Sequence, residues 1–248
     1  MSRSLLASVL DGCSPLTLVD VGASGGPAPY WNKLGGNLRV VLFEPDPRAV
    51  QALQQEAPSN TIVLNSALSD SRRPVRFNLC RKQEVSSALL PNRDFLKRYP
   101  AAERFTVEST VDVEAETLDG QLGKAGISSV DFVKLDTEGF EWPILQGAGS
   151  ALAQTIGAQV EVAFQPMRQG QVLFPRICEH LEGCGFQLMD LRWNYWRRSA
   201  VRPMSGKGQL IWADALFLRT PETLLAGKQA TVDRLTCAFV LYHLFGYA

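Results

Sequence analysis

The chain lacks an excess of either charge, a long apolar run and all but two histidines. Lys plus Arg is 25 and Asp plus Glu is 25, so the formal net charge is zero. Proteins that grip a nucleic-acid backbone carry a basic excess, so nucleic acid is disfavoured as a partner. No stretch reaches the roughly 18 apolar residues of a membrane span, so no transmembrane segment is expected. The apolar run at residues 5–10 is short and broken by Ser8, unlike the core of a secretory signal. The five cysteines, Cys13, Cys80, Cys178, Cys184 and Cys237, are odd in number and include no C-x-x-C pair. That pattern predicts reduced thiols in a cytoplasmic protein. Cys178, His180 and Cys184 stand at i, i+2 and i+6 of a predicted helix and do not share a face, and nothing else in the sequence requires a metal. Internal repeats, low-complexity tracts and long linkers are also missing.

What is there is an ordinary globular composition, 46% hydrophobic with 20 Gly and 14 Pro in 248 residues, enough for a sizeable core. Short apolar runs alternate with segments of helical period. Runs at 17–22, 38–45, 61–68, 130–136 and 158–164 read as buried strands, and 47–57 and 172–186 as helices, the first with Pro at its opening turn. The segment 73–117 alternates apolar and polar residues, which predicts an antiparallel insertion beside the main sheet. The runs 187–198 and 209–219 read as two last antiparallel strands, and 220–245 as one long final helix opened by Thr220 and Pro221. The pattern predicts an α/β fold: a mostly parallel sheet with helices on both faces and an antiparallel edge.

In such sheets ligands bind beyond the carboxyl ends of the strands. The first strand ends Asp20-Val21-Gly22-Ala23-Ser24-Gly25, and the second ends Glu44-Pro45, with Glu44 22 residues after Gly22. A glycine turn followed by an acid that can accept both ribose hydroxyls points to an adenosine-containing cofactor. Ala23 stands where a dinucleotide loop needs its second Gly. Asp20 would repel pyrophosphate and suits the ammonium of S-adenosylmethionine. Gly22, Ala23 and Gly25 are then the turn, Glu44 and Pro45 the ribose edge, and Ser66 and Ala67, after the third strand, the adenine contact. The fourth strand ends in Asp136, followed by Glu138 and Glu141. Clustered acids at a ligand crevice are candidate general bases, while Glu141 also suits the start of the next helix.

The blocks VDVGASGG, VVLFEPDP, NSALSD and DFVKLDTEGFEWPILQGA, in that order, resemble the FkbM-type methyltransferases, over residues 18–219. The resemblance implies a Rossmann-like class I fold with a seven-stranded sheet, S-adenosylmethionine as cofactor, and methyl transfer to a hydroxyl oxygen of a small molecule such as a sugar or glycan. It implies one methyltransferase domain over 1–219, carrying the β insertion, with 220–248 as a helical extension outside it. Asp20, Gly22 and Gly25 match the family's cofactor loop, Glu44 its ribose acid, and Asp136 and Glu138 its acidic block. Asp136 or Glu138 is the expected base, with Glu161 at the end of the fifth strand in reserve. The aromatic and basic segment 192–208 supplies Trp193, Tyr195, Arg197 and Arg198 as candidate acceptor contacts. The final helix is apolar nearly all round and needs cover, from its own domain or from a second copy in a homodimer. Two other readings are a non-catalytic adenosyl-cofactor binder and, against the evidence of Ala23, a nicotinamide-dependent oxidoreductase.

Overall fold

The β-branched and leucine-rich runs become strands because each buries both faces of its backbone in one sheet. The structure is a computed structural model that describes residues 5–200, 206–227 and 230–247. In chain order the strands are β1 (Leu16–Val21), β2 (Leu38–Phe43), β3 (Thr61–Leu64), β4 (Ala67–Leu68), β5 (Arg73–Cys80), β6 (Val107–Glu116), β7 (Phe132–Leu135), β8 (Gly157–Ala163), β9 (Gln187–Trp196) and β10 (Gln209–Leu218). Seven of them form one sheet in the order β3-β2-β1-β7-β8-β10-β9. The first five in that order run parallel, and β10 is antiparallel to both β8 and β9. All six residues of β1 are buried, as expected where helices cover both sides of a parallel strand.

Two apolar clusters sandwich the sheet. On one face Val19, Val21, Val133, Leu135, Val160 and Val162 meet Ile144, Leu152, Ile177 and Leu181. On the other, Leu16, Leu18, Phe132 and Leu218 meet Trp31, Leu34, Val240 and Leu241. The helix Pro47–Glu56 opens on Pro47, with the Asp46 side chain accepting from Arg48 N, a cap contributing about 1 kcal/mol.

The insertion forms as alternation predicts: β5 and β6 pair antiparallel, and the two-residue β4 joins β6 in a separate three-stranded sheet. Ala67 therefore leaves the main sheet for the smaller one. Further helical pieces complete the cover, and one expectation, the single final helix, is corrected. Between β1 and β2 the chain forms a 3-10 helix, Pro29–Asn37, kinked at Gly35. After the turn that follows β7 come two short helices, Glu141–Gln146 and Gly149–Gln154. They part at Gly147, where a Cβ would stand 2.2 Å from Ser69 O. The single final helix is also two, Pro221–Ala226 and Val232–Phe245, each capped by its own threonine, Thr220 and Thr231; residues 228 and 229 lie outside the described set. The second packs its buried face, Cys237, Ala238, Val240 and Leu241, on its own domain, and Tyr242 Oη donates to Arg219 O at 3.0 Å. Phe239 stays about half exposed. Among the described residues no helix is long and apolar enough to cross a membrane.

Candidate active site

Strand ends position the site. At the end of β1, Gly22 takes a left-handed φ of +79°, and a Cβ there would lie 1.9 Å from Asp136 O. Only glycine lets the first turn pass this close to the turn after β7. The second left-handed residue of the loop is Gly26, not Gly25, which has open space around it. Ala23 is buried and turns its side chain into the core beside Trp31 and Leu42; Ser24 faces the cleft instead.

Asp20 is fully buried, with Oδ1 3.1 Å from Lys134 Nζ and Oδ2 without a partner. Burial raises its carboxyl above the ordinary range, against the pull of Lys134. Lys134 also reaches Asp136 Oδ2 at 3.4 Å. Burial opposes its charge, but these two carboxylates more than offset that and hold it ionised. Glu44 follows β2 directly, is 4% exposed, and accepts from Asp46 N at 2.8 Å. Burial, more than the neighbouring charges, pushes its carboxyl up to about 7.

The acid turn after β7 is built by one of its own acids. Glu141 Oε1 accepts from Thr137 N, Thr137 Oγ1 and Gly139 N at 2.9 to 3.0 Å. It closes the turn, as its position at the start of the next helix allows, and leaves Asp136 and Glu138 to face outward. Glu138 sits at φ +57°, an uncommon conformation for a side-chain-bearing residue. Arg168, 1% exposed, holds it there: Nη2 donates to Glu138 Oε2 at 2.6 Å and to Val85 O at 2.8 Å. The remaining guanidinium nitrogens, Nε and Nη1, are buried without partners, and the group lies over the Phe105 ring at 5.4 Å.

Asp136, Glu138 and Glu161 come together, each offering a carboxylate oxygen within 4.8 Å of the others. Hard oxygens at that spacing are chemically suited to a divalent cation, but Lys134 and Arg168 already neutralise two of the three. A cleft of about 430 Å3 runs over this turn, lined by Gly22, Glu44, Pro45, Asp136 and Glu138 on the main sheet side. Its other wall is the insertion, through Phe77, Gln83, Glu84 and Ser86. The segment expected beside the sheet thus covers the site. A second, apolar slot of about 370 Å3 shares Gly22, Pro45, Phe77 and Thr137 with the cleft, and adds Ser66, Ala67, Leu68, Phe140 and Ile144.

Trp193 and Tyr195 are about half exposed on β9, and Trp193 packs against Phe164 at 5.6 Å between ring centroids. Arg197 and Arg198 follow β9 and are exposed, while Arg202, in the same predicted segment, lies outside the described residues. Trp193, Tyr195, Arg197 and Arg198 line neither cavity. Sequence reasoning missed Arg168, Phe77 and Ser86. The only signal for Arg168 was its place just beyond the end of the fifth strand, in QPMRQG.

A sheet in this order, with its last-added strand antiparallel between the fifth and sixth, and a cleft over the tips of the first, second and fourth, defines a Rossmann-like class I methyltransferase fold. Residues 20–188 match the Methyltransferase FkbM domain. The chain belongs to the FkbM methyltransferase family. It is 26% identical over 176 residues to the 2-O-methyltransferase NoeI of Sinorhizobium fredii (strain NBRC 101917 / NGR234), covering 67% of this chain and 71% of that one. Solved structures similar to it include the precorrin-6y C5,15-methyltransferase of Geobacter metallireducens GS-15, with TM-score 0.43, 11% identity, and 88% and 87% of the two chains covered. Another is the 1,6-didemethyltoxoflavin-N1-methyltransferase of Burkholderia thailandensis, with TM-score 0.39, 13% identity, and 87% and 76% covered.

Proposed function

We propose that the protein transfers the methyl group of S-adenosylmethionine to a hydroxyl oxygen of a small molecule. The observation that carries this is the two-part cavity. An acidic cleft and an apolar slot meet at Gly22, Pro45, Phe77 and Thr137, which suits a ligand with a charged, hydroxylated half and a flat base. Asp20 Oδ2 gives an independent check. It is a buried acceptor lacking a donor, and an ammonium, or a water bridging to one, would satisfy it.

In this reading Glu44 receives the ribose hydroxyls and Pro45, Ser66 and Ala67 flank the base. Asp20 and the backbone of the turn through Gly22, Ala23 and Gly25 receive the amino-acid end. Bound there, the cofactor supplies a methyl carbon already activated by its sulfonium. The protein's share is alignment, exclusion of water and removal of the acceptor proton, for which Asp136, Glu138 and Glu161 are the candidates. Oxygen as the atom methylated is supported by the kinship to a 2-O-methyltransferase and by carboxylates, not a histidine, at the site. Arg197 and Arg198, just after β9, form an outer rim for the acceptor, whereas Trp193 and Tyr195 alternate with Arg192 along β9 and so lie on the other face of the sheet. The described cysteines are all free thiols, which fits a reducing compartment such as the cytoplasm.

Calorimetry with S-adenosylhomocysteine tests the reading. The wild type is expected to bind it, and Glu44→Gln to bind it about 10 to 100-fold more weakly, the weight of hydrogen bonds to a charged group. A folded wild type that takes up none of the ligand would sink the assignment.

A further inference from the structure

Strand register places a row of polar side chains on one face of the sheet. Lys134 pairs with Gln159, and Asp214 pairs with Glu161 on one side and Arg192 on the other. Residues two apart on a strand share a face, so Lys134, Gln159, Glu161, Asp214 and Arg192 line up across β7, β8, β10 and β9. On that same face, Phe132, Leu216 and Leu218 lie under the cluster of Trp31 and the helix Val232–Phe245. At the other end, Ala163 lies under the insertion's cluster of Phe95, Tyr99 and Phe105. The polar row is the band between these two apolar covers, next to the acid turn.

Its members are unequally satisfied. Tyr30 Oη donates to Gln159 Oε1 at 3.2 Å, and Arg192 and Lys134 both face Asp214 electrostatically. Asp136 has Lys134 and Glu138 has Arg168. Glu161, 8% exposed, makes no hydrogen bond or ion pair with any described residue, though its carboxylate reaches within 4.8 Å of the other two. A carboxylate on so largely buried a side chain, with no donor from the protein, is open to one from a ligand. The band is rich in acceptor oxygens, and four carboxylates around it (Asp136, Glu138, Glu161 and Asp214) repel an anion. Hydroxyl groups fit: each O–H donates to a carboxylate, and a hydroxyl oxygen accepts from Arg192. Side chains on directly paired residues start about 5 Å apart, so Glu161 and Asp214 can converge on neighbouring hydroxyls.

We propose that Gln159, Glu161, Asp214 and Arg192 floor the methyl-acceptor site, that the acceptor is a neutral molecule with hydroxyls on adjacent carbons, and that Glu161 takes the proton of the hydroxyl that is methylated. This rests on the methyl-transfer reading above. In the step, the hydroxyl oxygen bonds the methyl carbon while the carbon–sulfur bond breaks and its electron pair stays on sulfur. The O–H proton passes to Glu161 and then to water.

The test uses the full chain, tritiated S-adenosylmethionine and a small-molecule extract of the cells that encode it, before and after periodate, which cleaves adjacent diols. Wild type, Glu161→Gln, Glu161→Asp and Asp214→Asn are first checked for binding of S-adenosylhomocysteine, expected within about threefold of one another because none touches that ligand in this reading. Label is expected to enter the untreated extract and to fall at least tenfold after periodate. Asp214→Asn should raise the apparent KM about tenfold with kcat kept. Glu161→Gln should lower kcat by about 100-fold with KM kept, and Glu161→Asp should recover part of it. The proposal is overturned if, with binding of S-adenosylhomocysteine intact, Glu161→Gln keeps a third of kcat or Asp214→Asn leaves KM unchanged. It is equally overturned if labelling survives periodate, or if the wild type labels nothing. Failure of the wild type to bind S-adenosylhomocysteine is a different result and overturns the cofactor reading instead.

Discussion

Gly22 shows how narrowly one residue can set a site. Its φ of +79° and the 1.9 Å approach of Asp136 O to its missing Cβ are separate constraints, and a side chain violates both. Gly22→Ala is expected to lower the melting temperature by several degrees and to abolish binding of S-adenosylhomocysteine, read by thermal shift with and without the ligand. Gly25→Ala, in open space with an ordinary φ, should leave the melting temperature of the ligand-free protein unchanged. The sequence flagged both glycines equally, because D-x-G-x-x-G spacing carries no information on which one faces another strand's turn. Glu44 was legible: an acid at the exit of the second strand can only stand at the crevice. Ala23 was not. Its burial beside Trp31 depends on the irregular 3-10 segment, which no short-range pattern announces.

Among elements, the telling joint is between the acid turn and the loop after β8. Arg168 is a fully buried cation whose charge is met, among the described residues, by Glu138 alone, and it also ties down Val85 of the insertion. Removing one partner of a buried pair costs about 3–5 kcal/mol, whereas removing both costs far less. Arg168→Met is therefore expected to destabilise the protein by about that much in urea titration. The double variant Arg168→Met with Glu138→Gln should recover most of the loss. Equal destabilisation in the single and double variants would show that the ion pair is not what holds the turn. The insertion itself was readable as two alternating antiparallel strands. That it roofs the cleft through Phe77 and Ser86 was not, because strand alternation says which residues share a face and not what the face meets. The split of the final helix escaped for a similar reason: apolar residues continued past Gly227, while two threonine caps marked separate starts.

For the whole molecule, zero net charge hides a strong local imbalance. Carboxylates gather at one end of the sheet, and burial pushes several of them up. Glu44 and Glu141 both rise from 4.5 to about 7. A carboxyl whose folded pKa exceeds its unfolded value binds its proton more tightly when folded, so its stabilising contribution is complete below pH 4.5 and is lost as pH climbs through 7. The melting temperature of the ligand-free protein is thus expected to fall between about pH 5 and 7.5, with a shallower slope in Glu44→Gln. A flat or rising profile in differential scanning calorimetry would contradict the burial of these groups. Activity should run the other way. Glu161 is raised well above the ordinary range by burial first and then by Glu138, Asp136, Glu141 and Asp214, with no cation among the causes. As a proton acceptor it works only when ionised, so the rate should climb with pH, with its rise above the ordinary carboxylate range.

The sequence by itself determined the strand and helix alternation, the order of the ligand-bearing strand ends and the presence of acids at four of them. Those follow from local periodicity and from the rule that parallel strands open their carboxyl ends to one crevice. Only the tertiary structure decided which acids acquire a cation and which does not. Lys134 lies two residues before Asp136 yet bridges it to Asp20 on another strand, and Arg168 reaches Glu138 across 30 residues of chain. Such pairing is set by sheet register and by how loops fold over the sheet, and burial then amplifies each partner present or missing.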